Sequence, residues 1–393
     1  MSDALRLGVL ATHPVQYHAP LYRALVAAGV DLTVYFAHRP SPQEQGTGFG
    51  VAFEWDVDLT SGYRHVFLPN RAKHPSASTF FGCDVPDIRS AIAGGAFDAF
   101  LVAGWHSLAY WQAVSACRAA GVPVMVRGDS QLPGDAAGIK RLVKRALYPS
   151  LLRRFDVCLS VGKRSEEYFR YYGARSIVPA PHFVDNEFFA ARAASAVANR
   201  ARVRAEFGLP VDATVVLFAG KLLPWKRPLD VLDAVRALGD PSVAVLIAGD
   251  GALRAECEAR ARDMISAVRI AGFLNQTEMP RAYAACDVLV LPSEARETWG
   301  LVANEAMASG RPVVLADAVG CAPDMVTDGE TGYTFPVGDV PALAERLRLV
   351  VGDAARLARM SRAARDRVTG YSVGAAARGV VDGAQRATRR RIA

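Results

Sequence analysis

Glu297 and Glu305 bracket a short run, Glu297-Thr298-Trp299-Gly300-Leu301-Val302-Ala303-Asn304-Glu305. The apolar stretch Val288 to Leu291 lies upstream and reads as a buried strand, while helix formers follow Gly300. Strand, loop, glycine and helix place free backbone N–H groups at a helix N-terminus, which is where a phosphate binds. A carboxylate can accept hydrogen bonds from two hydroxyls at once, so it suits the paired hydroxyls of a sugar. Acid, phosphate cradle and acid therefore follow the order of a nucleotide sugar: sugar, diphosphate, ribose. Glu305 would lie roughly 8 Å along the helix axis from Gly300 at 1.5 Å per residue, a reasonable ribose distance. Its neighbours Ala303, Ala306 and Met307 make that face apolar, where a carboxylate without a partner is costly.

Cations stand at a second loop. Gly220-Lys221-Leu222-Leu223-Pro224-Trp225-Lys226 follows the strand-like run Val215 to Ala219. A departing nucleoside diphosphate gains negative charge as the glycosidic bond breaks, and cations there stabilise the transition state more than the ground state. In the first half of the chain, His106 follows the strand Phe97 to Ala103, and Arg127 ends and Asp129 follows the strand Val122 to Arg127. Both positions suit groups aimed at a ligand; His13, in the loop after the first strand, and His182 rank below His106.

The elements that must hold these residues alternate. Arg6 to Ala11, Asp31 to Phe36, Phe97 to Ala103, Val122 to Arg127, Asp156 to Val161 and Ser176 to Pro179 read as strands with helices between them. A softer stretch follows from Phe183, and the pattern restarts with Val215 to Ala219, Val243 to Ala248, Val268 to Ala271, Val288 to Leu291, Val313 to Ala316 and Gly332 to Phe335. Near-continuous apolar strands separated by helices argue for parallel sheets covered on both faces. The expected fold is α/β, with two tandem Rossmann-like domains over 1–186 and 187–393 and a cleft between them. The last helix of the second domain could cross back to the first.

The chain has 393 residues and a formal net charge of +7, which fits an anionic partner without choosing one. Nucleic acid has no support beyond that charge, and Arg389-Arg390-Arg391 reads as a solvated tail. The six cysteines are scattered singly, as buried thiols are. Met1 to Leu7 lacks a charged region followed by a long apolar stretch, so a cytoplasmic protein is expected. The segment 139–154 is basic and amphipathic. Such a helix packs one face on a sheet, or lies on the anionic inner face of a membrane as a peripheral contact.

Five motifs in order carry a resemblance. They are Phe218-Ala219-Gly220-Lys221 with Lys226, Ala248-Gly249-Asp250-Gly251, Ile270-Ala271-Gly272-Phe273, the pair Glu297 and Glu305, and Asp317-Ala318-Val319-Gly320 with Asp328-Gly329-Glu330-Thr331-Gly332-Tyr333. With them the second half resembles the family 4 retaining glycosyltransferases, which have the GT-B fold. The first half resembles them more weakly, at Thr12-His13-Pro14, Val102 to His106, and Val184-Asp185 with Phe189. The resemblance implies transfer of a sugar from a UDP- or GDP-sugar to an acceptor hydroxyl with retention.

It implies donor binding by Gly220, Lys221, Lys226, Gly272, Phe273, Glu297, Thr298, Trp299, Gly300, Leu301 and Glu305. His106, Lys226 and Glu297 would serve catalysis, and His13, Arg127 and Asp129 would face the acceptor. Lysines and a helix N-terminus would take the place of a divalent ion, so neither metal nor cofactor is expected. Two features depart from the family. Lys221 stands where arginine is usual, and a point charge replaces a bidentate fork. The first loop, Thr12 to His18, lacks the paired glycines that let backbone approach the donor. An epimerase or hydrolase of the same fold, or a non-catalytic sugar-binding protein, are the other readings. A dehydrogenase is disfavoured, since Gly249-Asp250-Gly251 runs on without a third glycine.

Overall fold

The structure is a computed structural model that describes residues 4–132 and 139–392. Met1 to Asp3, where the reading on a leader falls, lie outside the described residues, as do the side chains of Lys140, Arg141 and Arg391. The chain divides into two units. One comprises Met1–Ser41, Asp58–His182 and Val373–Ala393; the other comprises Pro42–Val57 and Phe183–Ser372.

The first unit is built on β1 (Arg6–Ala11), β2 (Asp31–Phe36), β3 (Arg64–Phe67), β4 (Ala99–Val102), β5 (Val124–Gly128), β6 (Val157–Ser160) and β7 (Ile177–Pro179). They pair in parallel in the order β3-β2-β1-β4-β5-β6-β7. Central strands covered on both faces need apolar side chains on both, which is why β4 and β6 are buried along their whole length. β3, at the edge, is largely exposed. The helix Leu108–Ala120 ends at Gly121 in the left-handed conformation, φ 72°. The helix Val373–Ile392 packs on this unit, against β6, β7 and the helix His18–Ala27. A Cβ on its Gly379 would stand 2.1 Å from the Pro179 carbonyl oxygen, so only glycine allows the helix so near the sheet.

The basic helix occupies Ile139–Leu152 and contains Pro149. Leu152 is buried, whereas Leu142 and Leu147 are 69% and 57% exposed. The helix packs on the core through Tyr148 and Leu152, and Leu142 and Leu147 stay on its outer side.

The second unit contains β8 (Thr214–Ala219), β9 (Val243–Ala248), β10 (Ala267–Gly272), β11 (Val288–Leu291), β12 (Val313–Ala316) and β13 (Gly332–Phe335). Their order is β10-β9-β8-β11-β12-β13, again all parallel. Aspartates start three helices of this unit: Asp185, Asp339 and Asp353 each accept a backbone N–H from the first helical turn. Asp287 fixes the lower end of β11. It receives Arg204 at 2.7 Å, Arg200 at 2.6 Å and the Val215 N–H at 2.8 Å.

The loop after β8 lies directly on the loop after β9. A Cβ built on Gly249 would sit 1.9 Å from the Gly220 carbonyl oxygen. Gly249→Ala is therefore expected to destabilise the second unit by about 1–3 kcal/mol, the usual range for overpacking. Thermal unfolding should show a midpoint lowered by several degrees, and an unchanged midpoint would contradict this account of the loop.

Candidate functional site

In an open parallel sheet, ligands bind beyond the carboxyl ends of the strands, where the strand order reverses. In the second unit the reversal falls between β8 and β11. The loop after β8 carries Lys221 and Lys226, and the loop after β11 carries Glu297.

A short 3-10 turn, Pro224–Lys226, raises Lys226. Arg227 then adopts φ 53°, a left-handed conformation unusual for a side chain of its size. Pro228 disfavours the helical region for the residue before it. Asp230 at 2.7 Å and Glu294 at 3.6 Å hold the Arg227 guanidinium. Lys226 Nζ contacts the Glu297 carboxylate, and the two side chains are 13% and 14% exposed. The same ammonium stands 4.6 Å from the centre of the Trp225 ring. Lys221 is half-buried, and burial, reinforced by Lys226, pushes its pKa down. Its Nζ donates to the Thr47 carbonyl at 2.6 Å.

The helix Leu301–Ala308 begins at Gly300, whose φ is 96°. A Cβ there would meet Leu291 Cδ2 at 2.7 Å, so the loop can turn into the helix this tightly only at glycine. The loop's backbone is fixed from below: the Gly320 N–H donates to the Glu297 carbonyl at 2.8 Å and the Cys321 N–H to that of Trp299 at 3.0 Å.

Two residues expected to meet the donor are buried in the structure. The Trp299 indole is buried and donates to Asn304 Oδ1 at 2.8 Å, which makes it a support for the loop. Glu305 is 2% exposed, and the Tyr283 hydroxyl donates to it at 2.6 Å. This partner answers the cost of an acid on an apolar helix face. Nothing in the spacing around Glu305 pointed to Tyr283, which lies on the preceding helix, Met279–Ala285. Gly272, in a left-handed conformation at φ 76°, ends β10 and turns the chain into Phe273.

In the first unit the strand order reverses between β1 and β4. A cavity of about 430 Å³ opens there and gathers His13, His106, Arg127 and Asp129, together with His18 and His182. His106 is exposed and packs edge-on to the Tyr110 ring at 5.5 Å. His13 Nδ1 is 3.0 Å from Thr12 Oγ1. Arg127 is buried, and its guanidinium donates to the carbonyls of Ala180 at 3.3 Å and Pro181 at 3.0 Å. Burial lowers its pKa to about 10. Sequence reasoning missed His18, which opens the helix His18–Ala27; a histidine at a helix start carries no signal of its own. Burial, then Arg127 and His13, lower its pKa to about 3, and burial together with Arg127 depresses His182 as well. The cavity thus holds two imidazoles kept neutral, those of His18 and His182, beside one buried guanidinium.

The sequence contains one short run of the Asp-x-Asp type, Asp56-Val57-Asp58. The Thr277 N–H donates to the two Asp56 carboxylate oxygens at 3.2 and 3.1 Å, and the Asp58 carboxylate accepts the N–H groups of Thr60 at 3.0 Å and Ser61 at 3.1 Å. Among the described residues, no three His, Cys, Asp or Glu side chains are arranged to hold a metal ion. None of the described helices is long and apolar enough to cross a membrane.

Residues 199–367 match the family described as Glycosyl transferases group 1. That segment contains Lys221, Lys226, Glu297 and Glu305. That segment is therefore similar to the group 1 glycosyltransferases, and the two parallel sheets have the GT-B architecture.

The chain is 36% identical over 213 residues to a protein of Streptomyces avermitilis named D-inositol 3-phosphate glycosyltransferase. That match covers 49% of this chain and 45% of the relative, so the match spans less than half of the relative's length. A protein of the same name from Xylanimonas cellulosilytica is 27% identical over 412 aligned positions, covering 96% of this chain and 92% of its own. The crystal structure of Anabaena HepE in complex with UDP superposes with a TM-score of 0.72 at 18% identity, covering 96% of this chain and 98% of that one.

The depressed imidazoles have a consequence for acid stability. The native protein keeps His18 neutral down to about pH 3, whereas an unfolded histidine takes up its proton near 6.5. The unfolded chain gains that proton first, so stability is full above this window and falls as pH drops through it. His18→Asn should make urea-unfolding midpoints less sensitive to acid between pH 6.5 and about 5. The same sensitivity in the variant as in the parent would contradict the burial of a neutral imidazole.

Proposed function

We propose that the protein transfers a sugar, with retention and without a metal ion, from a UDP- or GDP-sugar to an acceptor hydroxyl. The observation that carries this reading is the contact of Lys226 with Glu297 at the strand-order reversal of the second sheet, ahead of the helix Leu301–Ala308. The match of residues 199–367 to group 1 glycosyltransferases supports it. So does the UDP bound by Anabaena HepE, which makes uridine nucleotides the first to try.

In this reading the donor diphosphate lies at the N-terminus of Leu301–Ala308, where backbone N–H groups and the helix dipole favour an anion. Lys226 and Lys221 neutralise the charge that grows on the diphosphate as the bond from the anomeric carbon to its oxygen breaks. Glu297 receives hydroxyls of the transferred sugar. Glu305, set in place by Tyr283, receives ribose hydroxyls. The acceptor hydroxyl attacks the anomeric carbon on the face the diphosphate leaves. Its proton passes to the departing phosphate oxygen, so no side-chain nucleophile is needed and the configuration is retained.

In this reading the polar cavity of the first unit takes the acceptor, with His106 serving catalysis and His13, Arg127 and Asp129 binding acceptor groups. The relatives' names point to a polyol phosphate as an acceptor to try. The basic helix Ile139–Leu152, with Leu142 and Leu147 exposed, would let the protein rest on the inner face of the plasma membrane.

Lys226→Ala and Glu305→Ala are expected to lower transfer by about 10²-fold or more in a folded protein, the scale of losing one charge-stabilising group. Radiolabelled or mass-spectrometric product assays measure this, and full activity in either variant would sink the site assignment. Turnover of the donor with no acceptor present would instead favour an epimerase or hydrolase.

A further inference from the structure

Residues 42–57 leave the chain after β2 yet group with the second unit. Only Pro42–Gln45 is helical, no strand follows before β3, and glycines stand at 46, 48 and 50. The segment lies across the ends of three successive strands. After β8, its Thr47 carbonyl accepts from Lys221 Nζ at 2.6 Å, and its Phe49 ring centre is 5.1 Å from the same nitrogen. After β9, a Cβ on Gly251 would come within 2.9 Å of the Gly48 carbonyl oxygen. At the end of β10, the Phe53 ring stacks on Phe273, with centres 4.2 Å apart and planes at 29°. Phe49 meets Phe273 edge-on at 4.9 Å. Asn275 Nδ2 donates to the Glu54 carbonyl at 2.7 Å, and Thr277 holds the Asp56 carboxylate.

Two of these contacts engage groups that a nucleotide would use. Lys221 is a half-buried cation whose partner here is a neutral carbonyl. A phosphate oxyanion makes a shorter and stronger hydrogen bond to an ammonium than a carbonyl does. Phe273 has one face covered by Phe53, and the flat face of a nucleobase could take that place. The other ties are hydrogen bonds at the rim: one from Asn275 to the Glu54 carbonyl, and those of the Thr277 N–H and hydroxyl to the Asp56 carboxylate; a neutral one contributes about 0.5–1.5 kcal/mol and one to a charged group about 1.5–3. The glycine-rich backbone can therefore move aside without breaking a sheet.

We propose that residues 42–57 form a strap that competes with the nucleotide: the Thr47 carbonyl and a donor phosphate exclude each other at Lys221, and Phe53 and the nucleobase exclude each other at Phe273. The inference rests on the donor reading of the second unit and adds a control on it. A closed strap lowers the apparent affinity by the fraction of molecules that are open. Loosening it raises that affinity.

Titration calorimetry of UDP and GDP into the parent, Phe53→Ala and Asp56→Ala proteins tests this, with chymotrypsin cleavage at Phe49, Phe53 and Trp55 as a second readout. Phe53→Ala removes a stacked aromatic contact, so nucleotide binding should tighten by about three- to tenfold. Asp56→Ala removes only the tether to Thr277, should tighten binding less, and keeps the test valid if Phe53→Ala folds poorly. In the parent protein, a bound nucleotide should speed cleavage within the strap. Equal or weaker binding by the variants, or cleavage slowed by nucleotide, would overturn the strap while leaving the donor site standing. Binding of neither nucleotide to any of the proteins would overturn the donor reading, and the strap with it.

Discussion

One opposite-charge contact, Lys226 to Glu297, joins the two loops that flank the strand-order reversal of the second sheet. Both side chains are largely removed from solvent, and charges in that position are stable only when paired. The pair sets where the loops sit, and the backbone around it is shaped to allow the approach. Gly249 lets the Gly220 carbonyl lie against it, and Gly320 does the same for the Thr298 carbonyl, 1.8 Å from where its Cβ would be. A lysine held this way is already oriented when an anion arrives, so little reorganisation opposes charge stabilisation.

The first unit uses the same topological device with different chemistry. Its reversal between β1 and β4 opens a cavity lined by imidazoles and a buried guanidinium, where the second unit sets the Lys226 ammonium against the Glu297 carboxylate. Fixed cations suit a leaving diphosphate. The neutral imidazoles of His18 and His182, which both donate and accept, suit hydroxyl groups of an acceptor. This division is what separates the donor chemistry from the acceptor chemistry in the proposed reaction.

Much of the fold was legible because buried parallel strands are continuous apolar runs. Arg6–Ala11, Asp31–Phe36, Val243–Ala248 and Val288–Leu291 stand where the sequence places them. Arg64–Phe67 left no such trace, since an edge strand is exposed and carries Arg64 and His65. The helix Val373–Ile392 contains Gly374, Gly379 and Gly383, which weaken any helical pattern, yet Gly379 is required by its close approach to β7. The candidate site was legible as residue types at strand ends: Lys226 meets Glu297, and His13, His106, Arg127 and Asp129 share a cavity. Partners contributed by distant segments were not legible. Tyr283 behind Glu305 and Thr47 on Lys221 are brought in by packing, and no spacing in the sequence encodes them. The inward turn of Trp299 was hidden for the same reason.

The most direct test of the donor site is a crystal structure of the protein with a bound nucleoside diphosphate. The account places the diphosphate at the N-terminus of Leu301–Ala308 within hydrogen-bond reach of Lys226 Nζ, with the ribose hydroxyls at Glu305. A nucleotide bound at the first unit's cavity, or with its phosphates away from Lys226, would contradict it.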